Sequence, residues 1–325
     1  MGRLACRLAG PDDADAMVEL WTKHSGWGEL AGAAWSEALT DGPFTRPHIV
    51  LAEDLETGAL VGQIICHRLF VNVAGTVRPT IRPFAAILAA DQRGFAVLLQ
   101  EEHPLKAMTS YSFEVMPTLG IELVYWLPDP RFARFLRQYS QLSLLRFPLF
   151  SRSFTPADVN PVMPAGHQWS PYEIDDRVTD LCSSAHTAPC HLVHTKELLQ
   201  WKQRVTSQQF ISVERHGELV AIAGARRHGD RQWQIEDVLG YDDTARRAAV
   251  VASTALCSRR EAAWEPPARA RKASILTTPT MEPFVSSIGF ERERYEFVLA
   301  VGALTDAAVE PARGDPAAWY LSASD

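Results

Sequence analysis

Apolar side chains at Met17, Val18, Leu20 and Trp21 recur at helical spacing behind an acidic start at Asp12 and Asp13, so residues 11–20 predict a first helix with an aspartate cap. Residues 47–54 (PHIVLAED) and 60–71 (LVGQIICHRLFV) are runs rich in β-branched residues, separated by the Gly-containing turn ETGA, and predict a hairpin. A third strand is expected at 82–90, a helix at 95–109, a buried strand at 122–128 that stops at Pro128, and a helix at 131–139. That order is an α/β layout with helices over a mixed sheet.

Residues 151–171 hold four prolines and little periodicity, which places a linker there. After it comes a helical stretch at 173–185, the helix HTKELLQWKQRV, a hairpin of FISVE and LVAIAGARR around Gly217, the strand QWQIEDVLGY, a long helix, the strand KASILTT and the helix EPFVSSI. The second half repeats the first. Trp35 precedes the Leu60-Val61-Gly62 hairpin as Trp201 precedes Leu219-Val220-Ala221, and Phe135-Leu136 matches Phe284-Val285. The offsets, about 150 to 166 residues, are domain-sized and point to a duplication, with two unrelated α/β domains as the alternative. The expected division is a domain at 1–150, the linker at 151–171, a second domain at 172–304 and an irregular tail without chemistry at 305–325.

At 325 residues the chain exceeds one ordinary core, and 46% hydrophobic with 22% charged residues is a globular composition. The net charge of −7 is spread over both halves, which disfavours a polynucleotide partner and favours a small-molecule or carrier-bound substrate. The N-terminus lacks the apolar core of a signal peptide, no run is long enough to span a bilayer, and five scattered cysteines suit a reducing compartment, so the expected location is the cytoplasm.

Four segments, RLAGPDDADAMVELW, LAEDLETGALVG, ILAADQRGFAVLL and FVSSIGFERERYEFVL, resemble the Gcn5-related N-acetyltransferase (GNAT) family, and the likeness covers most of residues 3–302. The resemblance implies an α/β fold of two tandem GNAT domains, each a mixed, mostly antiparallel twisted sheet flanked by helices. It also implies an acyl-CoA-dependent acyltransferase, using acetyl-CoA or another acyl-CoA, acting on a small molecule in bacterial secondary metabolism. The alternatives are a repurposed decarboxylase or cyclase that no longer uses acetyl-CoA, and a non-catalytic binding protein.

The family cradles the coenzyme A pyrophosphate on bare backbone at a helix start. The matching residues are Ile87, Leu88, Arg93, Gly94, Phe95 and Ala96, with Leu98 where a third glycine is usual. In the second half GYDDTARRAAVV puts Asp242 and Asp243 at that place, where they would repel an anion. The family's leaving-group acid, a tyrosine, is matched by Phe135 and Phe284, and Tyr139 stands one turn further on. Glu114 and Glu122, flanking and within the expected fifth strand, are candidate bases, and Trp27 and Trp35 are candidates for one wall of the acceptor site.

The densest local chemistry is Cys182, His186, Cys190, His191 and His194. Pro189 breaks any continuous helix and no structural-zinc spacing fits, so no metal is expected. His186, His191 and His194 are instead candidate acid–base groups near neutral pH.

Overall fold

A computed structural model describes residues 3–25, 42–93, 103–128, 130–186, 188–228, 232–262, 272–305 and 310–323. Trp27, Trp35, Gly94, Phe95 and Ala96 lie outside the described residues. The chain forms two compact units, one of residues 1–70, 78–126 and 301–308, the other of 71–77, 127–300 and 309–325.

In the first unit β1 (Leu4–Leu8) runs into α1 (Ala14–His24), followed by β2 (His48–Asp54), β3 (Leu60–Val73), β4 (Thr76–Leu88), α2 (Pro104–Val115) and β5 (Leu123–Trp126). Strand order is β1-β2-β3-β4-β5, antiparallel from β1 to β3 and parallel between β4 and β5. Asp13 stands at the N-cap of α1, but its side chain does not cap the helix as expected: its carboxylate accepts from Gly10 N at 2.6 Å and holds Arg7 at 2.6 and 2.7 Å. Behind it Met17, Leu20 and Trp21 pack on Ile49, Leu51, Ile65 and Ile87. Burying each such side chain contributes about 1.5–3 kcal/mol, which outweighs the marginal propensity of so short a helix.

In the second unit α3 (Pro130–Leu136), β6 (Leu142–Ser153), β7 (His167–Tyr172), α4 (Val178–Ser184), β8 (Cys190–Leu192) and α5 (Lys196–Val205) precede β9 (Gln209–Arg215), β10 (Glu218–His228) and β11 (Gln232–Gly240). Then come α6 (Asp243–Ala262), β12 (Lys272–Leu276), α7 (Glu282–Ser287), β13 (Glu291–Ala303), α8 (Glu310–Gly314) and β14 (Trp319–Tyr320). Its sheet runs β13-β6-β12-β11-β10-β9-β7, with β11 and β12 parallel and β12 antiparallel to β6. Alanines of α6 (Ala245, Ala248, Ala249 and Ala252) join Ile211, Ile222, Ile235 and Ile275 in the core, small side chains that let the helix lie close to the strands.

The structure divides the chain differently from the sequence at two places. Residues 142–150, expected to close the first domain, and 151–153, expected to open the linker, form strand β6, which pairs residue for residue with β12 from Leu149↔Leu276 to Ser153↔Lys272 and belongs to the second unit. The tail beyond residue 305 is not irregular: Trp319 and Tyr320 pair in parallel with Cys190 and His191, and Trp319 is fully buried with its indole N–H donating to Ala312 O at 2.8 Å. A two-residue strand has no periodicity to read, so its signal was only the apolar run Trp319-Tyr320-Leu321.

Candidate functional site

Strand β11 carries the feature on which the site depends. Its pairing with β10 shifts register between Ile222↔Leu239 and Gly224↔Glu236, so that Asp237 and Val238 face the single residue Ala223. This is a β-bulge. Asp237 takes φ +49°, the left-handed region that aspartate tolerates better than most residues, and its side chain leaves the strand's alternation. Parallel pairing with β12 stops just before it, at Ile235↔Ile275.

Four groups converge on the Asp237 carboxylate and its amide. Lys202 Nζ donates to Oδ1 at 2.8 Å, His194 Nε2 lies 3.0 Å from the same oxygen, and Gln208 Nε2 donates to Oδ2 at 2.8 Å. From the C-terminal segment, Ser322 Oγ accepts from Asp237 N at 3.0 Å. Helix α5 supplies Lys202 from its inner face with Leu198 and Leu199, and its start is fixed by Thr195, whose hydroxyl accepts from Leu198 N at 3.2 Å. Gln208 reaches across a bare backbone, since a Cβ on Gly224 would stand 2.0 Å from its Nε2.

The chain of contacts continues outward. His186 Nε2 is 3.0 Å from His194 Nδ1, and the half-buried His186 ring is stacked on His191 at 4.2 Å and tilted against Tyr320 at 4.8 Å. Tyr320 is anchored by donating to Val238 O at 2.6 Å, and His191 Nδ1 is 3.0 Å from Ala188 O. The three histidines singled out in the sequence are thus brought together. They share an extended connection to Asp237 and Lys202, which sequence reading missed.

Charge fixes the protonation pattern. Burial alone would raise the Asp237 carboxyl, but the Lys202 ammonium and the hydrogen bonds from His194 and Lys202 hold it well below the usual carboxylate range. An ionised carboxylate only accepts, so the contact with Asp237 sets the tautomer of His194. Its Nε2 then carries the proton toward Asp237 and its Nδ1 accepts from His186 Nε2. Burial, reinforced by His194, His191 and Arg246, pushes His186 well below the ordinary imidazole value. His186 is therefore neutral at neutral pH, with its Nδ1 lone pair as the acceptor at the outer end of the relay.

Beside it Glu236 is almost fully buried, with Oε1 3.2 Å from Arg226 and Oε2 without a hydrogen-bond partner among the described residues. Burial pushes its carboxyl up to about 7, against the lowering effect of Arg226. Among the described residues no three His, Cys, Asp or Glu side chains are grouped to hold a metal ion.

The other candidates have contacts of their own. Tyr139 packs edge-on against Phe135 at 5.7 Å. Glu122 precedes β5 rather than lying in it, and its carboxylate is paired with Arg78 at 2.8 Å. Glu114 is exposed on α2, so it flanks no strand. Ile87 and Leu88 end β4, and the Arg93 guanidinium donates to Leu88 O at 2.9 and 2.7 Å and also to His24 O. Arg93 ties the end of β4 to the end of α1.

No protein-family model and no curated protein matches the sequence. Solved structures do match. A conserved protein from Enterococcus faecalis V583 described as a probable N-acyltransferase aligns at 11% identity and TM-score 0.66, covering 92% of this chain and 72% of its own. The tandem GNAT protein of the clavulanic acid biosynthesis pathway aligns at 11% identity and TM-score 0.58, covering 94% of this chain and 100% of its own. Saccharomyces cerevisiae N-myristoyltransferase with bound myristoyl-CoA aligns at 11% identity and TM-score 0.59, over 93% and 79%. At these identities the likeness is one of fold, and the chain has the fold of a tandem GNAT protein.

Proposed function

We propose that the protein is an acyl-CoA-dependent acyltransferase acting on a small molecule, with His186 as the base that takes the acceptor's proton. The observation that carries this reading is the relay from His186 through His194 to Asp237, whose base nitrogen sits at its half-buried end. The shared fold with acyl-transferring proteins supports it.

In the proposed step His186 Nδ1 accepts the proton of an amine or hydroxyl as that group attacks the thioester carbonyl carbon. The new bond forms as the carbon–sulfur bond breaks, and the thiolate leaves to be protonated. His194 spreads the charge on His186 toward the buried Asp237, and Asp237 fixes the tautomer of His194. Arg93, occupied by the carbonyls of Leu88 and His24, would brace the end of β4 rather than clamp phosphate.

The test is thiol release from acyl-CoA with a panel of small amines and alcohols. Titration with acetyl-CoA giving no heat at millimolar ligand would remove the proposal. His186→Ala should lower turnover by about 10²–10⁴ if His186 is the base.

A second reading, a decarboxylase or cyclase on a carrier-bound or free intermediate, is favoured by one observation. The amide of Asp237, on the bulge where β11 leaves β12, is bonded to Ser322 rather than open to a substrate carbonyl. Silence in the thiol assay together with loss of CO₂ from a carboxylated thioester would select this reading. No helix among the described residues is long and apolar enough to cross a membrane, which accords with a proposed cytoplasmic site of action.

A further inference from the structure

A depression of about 760 Å³ in the second unit lies away from the histidine relay, and it is lined by Arg134, Arg137, Arg146, Leu142, Leu144 and Val298 among others. That volume is of the size that takes a small molecule. Leu142, Leu144 and Arg146 are alternate residues of β6, so one face of that strand supplies two aliphatic side chains and then a guanidinium. The buried Val298 comes from the neighbouring strand β13 and completes an apolar floor. Arg134, in the last turn of α3, and Arg137, three positions on, provide the exposed charged wall.

The charges in this depression do not balance. Arg146 shares one carboxylate with Arg292, at 3.3 and 3.1 Å from Glu296. Arg134 and Arg137 have no ion pair among the described residues. In a chain of net charge −7, two guanidinium groups of like sign beside an apolar floor make a locally positive surface that favours an anion. A carboxylate would neutralise one of them, whereas a phosphate monoester, carrying nearly two charges at neutral pH, matches both and suits the planar donor fork of arginine.

We propose that this depression binds a phosphate monoester attached to an apolar body, with Arg134 and Arg137 holding the phosphate and Leu142, Leu144 and Val298 covering the hydrocarbon. The inference is independent of the acyl-transfer reading.

The test is calorimetric titration of the full chain with hexyl phosphate. Saturable binding is expected, weakened at least about tenfold in Arg134→Ala/Arg137→Ala, and at least about tenfold stronger than inorganic phosphate. Leu144→Glu, which sets a carboxylate on the floor, should abolish it by a separate route. Hexyltrimethylammonium should not bind. The proposal is overturned if hexyl phosphate gives no saturable heat at millimolar concentration, or if the double variant binds it unchanged. Equal affinity for inorganic phosphate would reduce the depression to an ion site and overturn it too. Sedimentation with anionic phospholipid vesicles, without binding of the soluble ester, would assign the arginines to a membrane surface instead and equally overturn it.

Discussion

Lys202 Nζ donates to Asp237 Oδ1 at 2.8 Å, and each side chain is at most 2% exposed. An ion pair so deeply buried gains little over an apolar pair of the same shape, because both charges lost their hydration, but removing one partner strands the other. Lys202→Met should therefore destabilise the second unit by about 3–5 kcal/mol, whereas Lys202→Met/Asp237→Asn should lose less than the sum of the single changes. Urea denaturation of the four proteins gives the coupling directly. Strict additivity would mean that the two charges do not depend on each other.

The same carboxylate constrains a glycine through space: Gly224 lies under Gln208, which bonds Asp237 Oδ2. A methyl group on Gly224 would overlap the Gln208 amide at 2.0 Å and its Cδ at 2.7 Å. Gln208 cannot swing aside freely, being almost fully buried. Gly224→Ala should break the Gln208–Asp237 bond and cost about 1–3 kcal/mol, with Gly224→Ala/Gln208→Ala recovering part of the loss. Equal stability of the two variants would show that Gln208 repacks without consequence.

Much of this arrangement was legible in the residues. The hairpins around Gly58 and Gly217, the helix behind Thr195 and the long helix of 243–262 follow from alternation, turn glycines and caps that act within a few residues. The histidine cluster was also visible, because His186, His191 and His194 are close in sequence. Asp237 and Lys202 were not. Asp237 reads as a strand residue beside Glu236, and only the bulge turns it toward a lysine 35 positions earlier. The placement of β6 was hidden for a similar reason, since its partner β12 lies more than a hundred residues away. Long-range pairing of that kind leaves no periodic trace.

The C-terminal segment supplies two residues to the site. Tyr320 clamps the His186 ring and donates to Val238 O, and Ser322 accepts from the Asp237 amide. Ending the chain after Gly314 would uncover Trp319, Tyr320 and Leu321's partners and leave the bulge amide without its acceptor. The truncated protein should unfold at lower denaturant than the full chain and lose activity with it. Tyr320→Phe is the finer probe, removing one buried hydrogen bond at a cost of about 1 kcal/mol while keeping the ring against His186. If His186 positioning depends on the ring, turnover in Tyr320→Phe should stay near that of the parent, and Tyr320→Ala should lose it. A fall of the same size in both would point to the hydroxyl instead.

Glu236 gives the protein a pH dependence of known sign. Its carboxyl in the folded protein is raised from 4.5 to about 7, because burial disfavours the charged form more than Arg226 favours it. A group whose folded value is raised stabilises the fold fully below its unfolded value, and that contribution is lost as pH rises through the folded value. Stability from this residue should therefore decline between about pH 4.5 and about pH 7 and stay low above, by roughly 1–3 kcal/mol. His186 works in the opposite direction, since its lowered value favours the fold as pH rises, so the parent curve alone does not isolate Glu236. Glu236→Gln removes only the first effect and keeps a side chain of the same shape, with a donor where the protonated acid had one. Denaturation of both proteins at pH 5 and pH 8 should show the variant gaining on the parent at the higher pH. A stability difference that is identical at the two pH values would mean that Glu236 is already ionised in the fold, its charge carried by Arg226.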